Sequence, residues 1–332
     1  MASASWILKL GLFPWLAAAA LAVPPAAESS LLRLERSLDV MGTTYTVTVY
    51  GQDQYKLDSA IDDAFDEARR LDKLLSNYRP ESEWSRVNRE AYKGPVPVSE
   101  ELYQLLDACL RYSRESEGAF DITVGPLMKI WGFYKGTEHI PHRAEIRAAL
   151  DRIGYQHIHL DPAARTVRFD APVDMDPGGI GKGYAVDRMS DVLRRDSVTM
   201  ALISAGRSSI YGLGAPPSEP RGWHIVLPDP RDTRKTVWDV YLKNSSMSTS
   251  GTTEKFFMAG GRTYSHLMDP RTGYPVQGML AVSVVAPKTL DSEAWTKPYF
   301  VLGRDWAARH KPKDFQVFLC EDRTENPCVS LP

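Results

Sequence analysis

Apolar residues recur at three- and four-residue steps from Leu57 to Leu75, through Ile61, Ala64, Phe65, Ala68, Leu71 and Leu74. That period predicts an amphipathic helix, which Asn77-Tyr78-Arg79-Pro80 ends. A second helix is predicted after Pro97-Val98-Ser99, where Ser99 suits an N-cap and Leu102, Leu105, Leu106, Cys109, Leu110 and Tyr112 point inward. Between Leu34 and Gly51 the pattern alternates instead, around Met41-Gly42-Thr43, and Tyr45–Tyr50 is rich in β-branched and aromatic residues, as a strand is. Short strand-like runs follow at Ile158–Leu160 and Thr166–Phe169, joined by the turn Asp161-Pro162-Ala163-Ala164. A glycine-rich loop, Asp176–Gly183, leads into a predicted helix over Tyr184–Arg194. Further strands are predicted at Ala201–Ser204, Trp223–Leu227, Val237–Leu242, Phe256–Met258 and Met279–Val285, and a last helix over Glu293–Leu302, interrupted by Pro298. The class is α+β, with the glycine-rich loop in the middle of the chain and not after the first strand, where a dinucleotide-binding domain carries it.

The ends change the picture. Lys9 precedes Leu10-Gly11-Leu12-Phe13-Pro14-Trp15-Leu16 and four alanines, and Ala20 with Ala22 offers a small-residue cleavage site. Residues 1–27 therefore have the pattern of a secretory signal peptide, and 28–332 that of a single domain. Of the three cysteines, Cys320 and Cys328 could close a small loop in an oxidising compartment, whereas Cys109 falls on an apolar helix face. Forty basic against forty-two acidic residues imply no basic face, which argues against nucleic acid as a partner. The run Lys311-Pro312-Lys313 is too short to change that.

Four segments could carry chemistry. In Asp176-Pro177-Gly178-Gly179-Ile180-Gly181-Lys182-Gly183, glycines let backbone N–H groups approach an anion, a helix N-terminus follows, and Lys182 supplies charge. Neither the P-loop spacing nor GxGxxG fits it, and a tight turn explains the glycines equally well. Ser265-His266-Leu267-Met268-Asp269-Pro270-Arg271-Thr272-Gly273 combines a turn, set by proline and glycine, with a histidine that could act as base or phosphate donor, or be structural. Gly118-Ala119-Phe120-Asp121 suits a pocket wall or a buried turn. Tyr78 could stack on a planar ligand or stand exposed.

In their order along the chain these segments resemble one family. Met41-Gly42-Thr43, Ser76–Pro80, Gly118–Asp121, Gly178–Asp187, Ser248-Thr249-Ser250-Gly251 and His266–Gly273 are similar to successive motifs of the ApbE-type FAD:protein FMN transferases, over about Met41 to Gly303. The resemblance implies two intimately joined α/β parts with a flavin cleft between them. It implies transfer of FMN from FAD to a threonine hydroxyl of an exported acceptor protein, with release of AMP and a bridging magnesium ion. The protein would be periplasmic or in the cell envelope, with no more than transient membrane proximity. By the same resemblance Met41 contacts the cofactor, Tyr78 stacks on the flavin, and Ala119, Phe120 and Asp121 line the pocket. Asp176 and Lys182 hold the nucleotide, the Gly179 carbonyl reaches the metal, and His266 lies beside the phosphates. His266, Asp269 and Asp121 are the candidates for the base.

Two places depart from the pattern. Glu293 stands at the position of a metal-binding aspartate and Lys297 at that of a metal-binding threonine. Glu293 can ligate a metal, but the ammonium of Lys297 has no lone pair and could instead set fixed positive charge against the pyrophosphate. A one-residue shift offers Asp291 or Ser292 with Thr296 as ligands. The second departure is Ala205-Gly206-Arg207, where a Gly-Gly pair is expected and Arg207 could meet a phosphate or an acceptor, or be a surface residue. Altered metal chemistry is the expectation. It leaves three further readings open: a flavin-binding protein without transfer, an FAD pyrophosphatase that uses water, and a structural protein without flavin.

Overall fold

The alternating stretch around Met41 folds as a hairpin, with strand β1 (Leu32–Val40) antiparallel to β2 (Thr43–Gly51). Met41 and Gly42, the two turn residues, have φ of 52° and 71°. Tight hairpin turns use such a left-handed pair because it matches the strand twist, and Asn-Gly usually supplies it. A methionine in that conformation is a local exception, of the kind that clusters at functional sites. The computed structural model describes Met1 and residues 31–134, 136, 137 and 139–331, so the rest of the predicted leader lies outside it. Leu31–Pro332 form one compact unit.

Six more strands extend the hairpin: β3 (Ala201–Ala205), β4 (Ser209–Leu213), β5 (Ser245–Gly251), β6 (Met279–Ala286), β7 (Gln316–Glu321) and β8 (Cys328–Leu331). Every neighbouring pair is antiparallel, and the order across the sheet is the order along the chain. Period two then sorts the faces. Tyr45, Val47 and Val49 of β2 and Ala201, Ile203 and Ala205 of β3 are buried under two helices, α1 (Gln54–Leu75) and α6, whose residues follow below. The opposite face is covered by a hairpin of Trp223–Asp229 and Asp232–Leu242, which packs Trp223, Leu227, Val240 and Leu242 on Ile210, Met247, Val285 and Phe318. Cys320 and Cys328, directly paired across β7 and β8, are joined by a disulfide. Cys109 is buried and free.

The long excursion between β2 and β3 carries most helices. After α1 come α2 (Glu83–Glu90), α3 (Glu100–Glu115), α4 (Gly125–Ile130), α5 (Arg143–Leu150) and α6 (Gly181–Arg195). Helices α2, α4 and α5 are short and were not predicted. Helix α2 matters most here. Its Trp84 is fully buried and donates from Nε1 to the Met175 carbonyl at 3.0 Å. Asn88 bonds both the N–H and the carbonyl of Met175 at 2.9 Å, which pins the chain just before the glycine-rich loop.

Helix α6 begins at Gly181, three residues before the predicted start. Glycine lowers helix propensity, which hid this first turn, but glycine is what the packing demands there. A Cβ on Gly183 would lie 2.5 Å from the Thr289 carbonyl oxygen, at the start of α7 (Thr289–His310). That last helix begins four residues before its predicted start, holds Pro298 inside it, and kinks at Gly303, whose φ is 78°.

Asp187, on α6, ties the two helices together. Its carboxylate accepts from Thr289 N–H at 2.7 Å and Leu290 N–H at 2.8 Å, capping α7, whose own N-cap residue Lys288 makes no side-chain cap. Replacing Asp187 with alanine should lower stability by about 2 kcal/mol, read as a fall in the urea midpoint, because two buried N–H donors lose their acceptor. Burial pushes the Asp187 pKa up to about 6, against the pull of those N–H bonds. The folded protein therefore holds this proton more tightly than the unfolded chain. The resulting stabilisation is complete below the unfolded value near 4 and is lost as pH rises through about 6. Asp187→Asn should remove that part of the pH dependence.

Candidate active site

A cleft of about 700 Å³ opens where the β1–β2 turn, the end of α1, the glycine-rich loop and the exposed flank of α7 meet. It gathers nearly all the residues singled out in the sequence. Met41, Tyr78, Ala119, Phe120, Asp121, Asp176, Gly179, Lys182, His266, Glu293 and Lys297 line it. Asp269 and Thr296 do not. The Asp269 carboxylate accepts from Arg271 Nε at 2.9 Å and from Arg271 N–H at 3.0 Å, and its carbonyl accepts from Gly273 N–H at 2.9 Å. It shapes the turn after His266. Thr296 is fully buried, and its hydroxyl is shared between Ser250 Oγ at 2.8 Å and the Glu293 carbonyl at 2.7 Å.

One wall is apolar and aromatic. The Met41 thioether accepts from the Tyr45 hydroxyl at 3.4 Å, and its methyl group would lie 3.5 Å from a Cβ on Gly181. The strained turn thus sets the methionine against the start of α6. Phe120 is buried, whereas Tyr78 is 70% exposed and meets Tyr134 edge-on, with centroids 6.0 Å apart. A largely exposed ring held by one aromatic neighbour can stack on a planar ligand.

Asp121 and Asp176, beside this wall, bond mainly to backbone N–H groups. Asp121 accepts from Thr123 N–H at 2.8 Å, Thr123 Oγ1 at 2.7 Å and Tyr155 N–H at 2.8 Å. Asp176 accepts from Gly178 N–H at 2.5 Å and from the Tyr134 hydroxyl. Burial raises the pKa of both, and these hydrogen bonds hold it down in part. Asp176 folds the loop so that Pro177–Gly179 make one tight turn before α6.

The other wall is cationic. Lys182, on the first turn of α6, Lys297, on α7, Lys255 and Arg207 all line the cleft, and the positive end of the α6 dipole points the same way. Arg207 is exposed and belongs to the cleft; Lys255, in a polar turn with no pattern to mark it, was not found from sequence. Burial brings the Lys297 pKa down to about 8, with Glu293 opposing the fall and Lys182 adding to it, so the side chain is charged at neutral pH.

His266 sits among these cations. A carbonyl only accepts, so the 3.2 Å contact between His266 Nδ1 and the Lys255 carbonyl places the proton on Nδ1. Nε2 then carries the lone pair. Burial first, and the charges of Lys182, Lys255 and Lys297 after it, push the pKa of His266 down to about 4, while the bond to Lys255 resists. The ring is neutral at pH 7, and Nε2 has no hydrogen-bond partner among the described residues.

A magnesium ion binds through one or two carboxylates, waters and substrate phosphates. Here the ammonium of Lys297 stands beside the one expected carboxylate, an arrangement that does not fit such an ion. Glu293 is the one expected carboxylate at the wall, and its Oε2 accepts from Gly183 N–H. The Glu293 carbonyl already accepts from Lys297 Nζ at 2.9 Å and from Thr296. The alternatives from a shifted register are engaged too: Asp291 by the Tyr112 hydroxyl, and Ser292 Oγ by Ser246 at 3.0 Å and Ser248 at 2.8 Å. Among the described residues no three acidic, histidine or cysteine side chains converge as ligands. Of Gly179, Glu293 and Thr296, expected as a metal set, the first two line the cleft and Thr296 does not.

An aromatic wall joined to a lysine-lined helix N-terminus suits a planar ring attached to phosphates. Comparison with known proteins gives that cleft its relatives. The model of the ApbE family matches residues 41–319. The chain belongs to the ApbE family. The FAD:protein FMN transferase of Klebsiella pneumoniae (strain 342) is 32% identical over 290 residues, which cover 86% of this chain and 88% of that protein. The ApbE protein of Thermotoga maritima aligns with a TM-score of 0.80 at 28% identity, over 89% of this chain and 98% of its own. The apo flavinyl transferase ApbE of Pseudomonas stutzeri gives 0.79 at 28% identity, over 90% and 94%. The ApbE fold and the α+β class read from the sequence agree.

Proposed function

We propose that this ApbE protein transfers FMN from FAD to a threonine hydroxyl of an exported acceptor protein and releases AMP. The observation that carries this reading is His266, held neutral with Nε2 free, between a stacking wall and a wall of lysines. Met41, Phe120 and Tyr78 receive the isoalloxazine ring, and Lys182, Lys255 and Lys297 face the pyrophosphate. The acceptor hydroxyl attacks the phosphorus of the FMN half. A new P–O bond forms as the bridging P–O bond to AMP breaks, and the hydroxyl proton passes to His266 Nε2. The negative charge gathering on the departing AMP phosphate meets the lysines. Such a displacement asks for orientation and electrostatic stabilisation more than for covalent help from the protein. FAD is the donor, and no step of this reading runs through a metal ion.

The leader at residues 1–27 and the Cys320–Cys328 disulfide support a place outside the cytoplasm, where disulfides persist. The discriminating assay follows AMP with and without an acceptor domain. AMP that appears only with acceptor is the expected result. AMP and FMN formed equally well without it would mean a pyrophosphatase, and FAD bound without either product a flavin carrier.

A further inference from the structure

Lys297 lines the cleft beside Glu293. It lies one helical turn after Glu293 on α7, with Nζ on the Glu293 carbonyl at 2.9 Å. Its Cε would lie 3.6 Å from a Cβ on Gly179, an ordinary packing distance, so its stem passes beside the glycine-rich loop. Lys182 reaches the same wall from the first turn of α6, and the Gly183 N–H bond to Glu293 locks the two helices at that point. The charges of Lys182, Lys255 and Lys297 all act on His266, which places them around one small volume.

A pyrophosphate diester brings two negative charges, and Lys182, Lys255 and Lys297 meet it with positive ones that cannot diffuse away. Glu293 and Glu254 favour the charged form of Lys297. A magnesium ion on the Glu293 carboxylate would compete with Gly183 N–H for Oε2 and would stand against the ammonium of Lys297.

We propose that Lys297 is a built-in counter-ion for the pyrophosphate of FAD, so that this chain binds and cleaves FAD without a divalent cation. The inference rests on the transferase reading but is separable from it. Lys297 replaces a diffusible charge with one carried by α7, beside the glycine-rich loop.

Flavin fluorescence titrations on the mature wild-type protein, Lys297→Gln and Lys297→Arg, with FAD and with riboflavin, in excess EDTA or in magnesium chloride, test this. Wild-type affinity for FAD should change less than about threefold between EDTA and magnesium. Lys297→Gln should weaken FAD roughly tenfold or more, the loss of a charge-assisted contact, while riboflavin binding stays as in wild type and shows that the variant is folded. Lys297→Arg should keep most of the FAD affinity. Wild-type FAD binding that falls tenfold or more in EDTA overturns the proposal and leaves the transferase reading standing, as does Lys297→Gln with wild-type FAD affinity. Failure of the wild type to bind either flavin in any condition overturns both.

Discussion

Replacing His266 with glutamine will slow FMN transfer by roughly 10²- to 10³-fold while FAD still binds. Glutamine keeps a donor for the Lys255 carbonyl but has no basic nitrogen to take the acceptor proton. Its effect therefore falls on kcat, and KM for FAD changes little. The wild-type pH profile gives a second readout. With the free-enzyme pKa near 4, His266 stays deprotonated through the mildly acidic range. The acid limb of kcat/KM should lie well below pH 6.5, the ordinary value for histidine. A limb at the ordinary value, or a His266→Gln enzyme with wild-type kcat, would remove His266 from the proton transfer.

Gly183→Ala will destabilise the protein by about 3 kcal/mol and impair FAD binding with it. The added Cβ would stand 2.5 Å from the Thr289 carbonyl oxygen and 2.8 Å from Glu293 Oε2. The first contact is backbone and cannot swing aside, so α6 and α7 must separate. Separation stretches the Gly183–Glu293 bond, pulls Asp187 from the α7 N-terminus, and moves Lys182 away from Lys297. Gly94 makes the control: a Cβ there meets nothing within 4 Å, and Gly94→Ala should leave the urea midpoint close to wild type. Equal midpoints for the two variants would show that the α6–α7 crossing tolerates a side chain.

The residues of the cleft were legible in the sequence where short-range geometry makes them conspicuous. The glycines after Asp176 announced a close backbone approach and His266 stood before a proline turn, whereas Met41 was marked only by the resemblance to the family motif. Lys255 was invisible because a lysine in a polar turn is the commonest of surface features; only the fold brings its carbonyl under His266. Asp269 and Thr296 went the other way. Each sits beside a residue that does line the cleft, and sequence proximity cannot tell which of two neighbours points inward. Asp269 turned its carboxylate to Arg271, and Thr296 turned its hydroxyl to Ser250 in the packed face of α7.

Of the large sheet only the β1–β2 stretch, β3 and β6 were readable; β4, β5, β7 and β8 were not, and the order of the sheet depends on pairings across long excursions. The start of α6 was hidden for a physical reason: Gly181 and Gly183 disfavour helix locally but let α6 approach α7. The short α2 was lost because it buries only Trp84, Ser85 and Val87, too few for a period to show. Yet it anchors Met175 and, through it, the loop that carries Asp176.

The most direct test of the central claim is the intact mass of an acceptor domain after incubation with this protein and FAD, with AMP measured in the same sample. The account predicts a gain equal to one FMN phosphoryl group, located on a threonine, and one AMP released per acceptor modified. An acceptor of unchanged mass, under conditions where FAD demonstrably occupies the cleft, would contradict it.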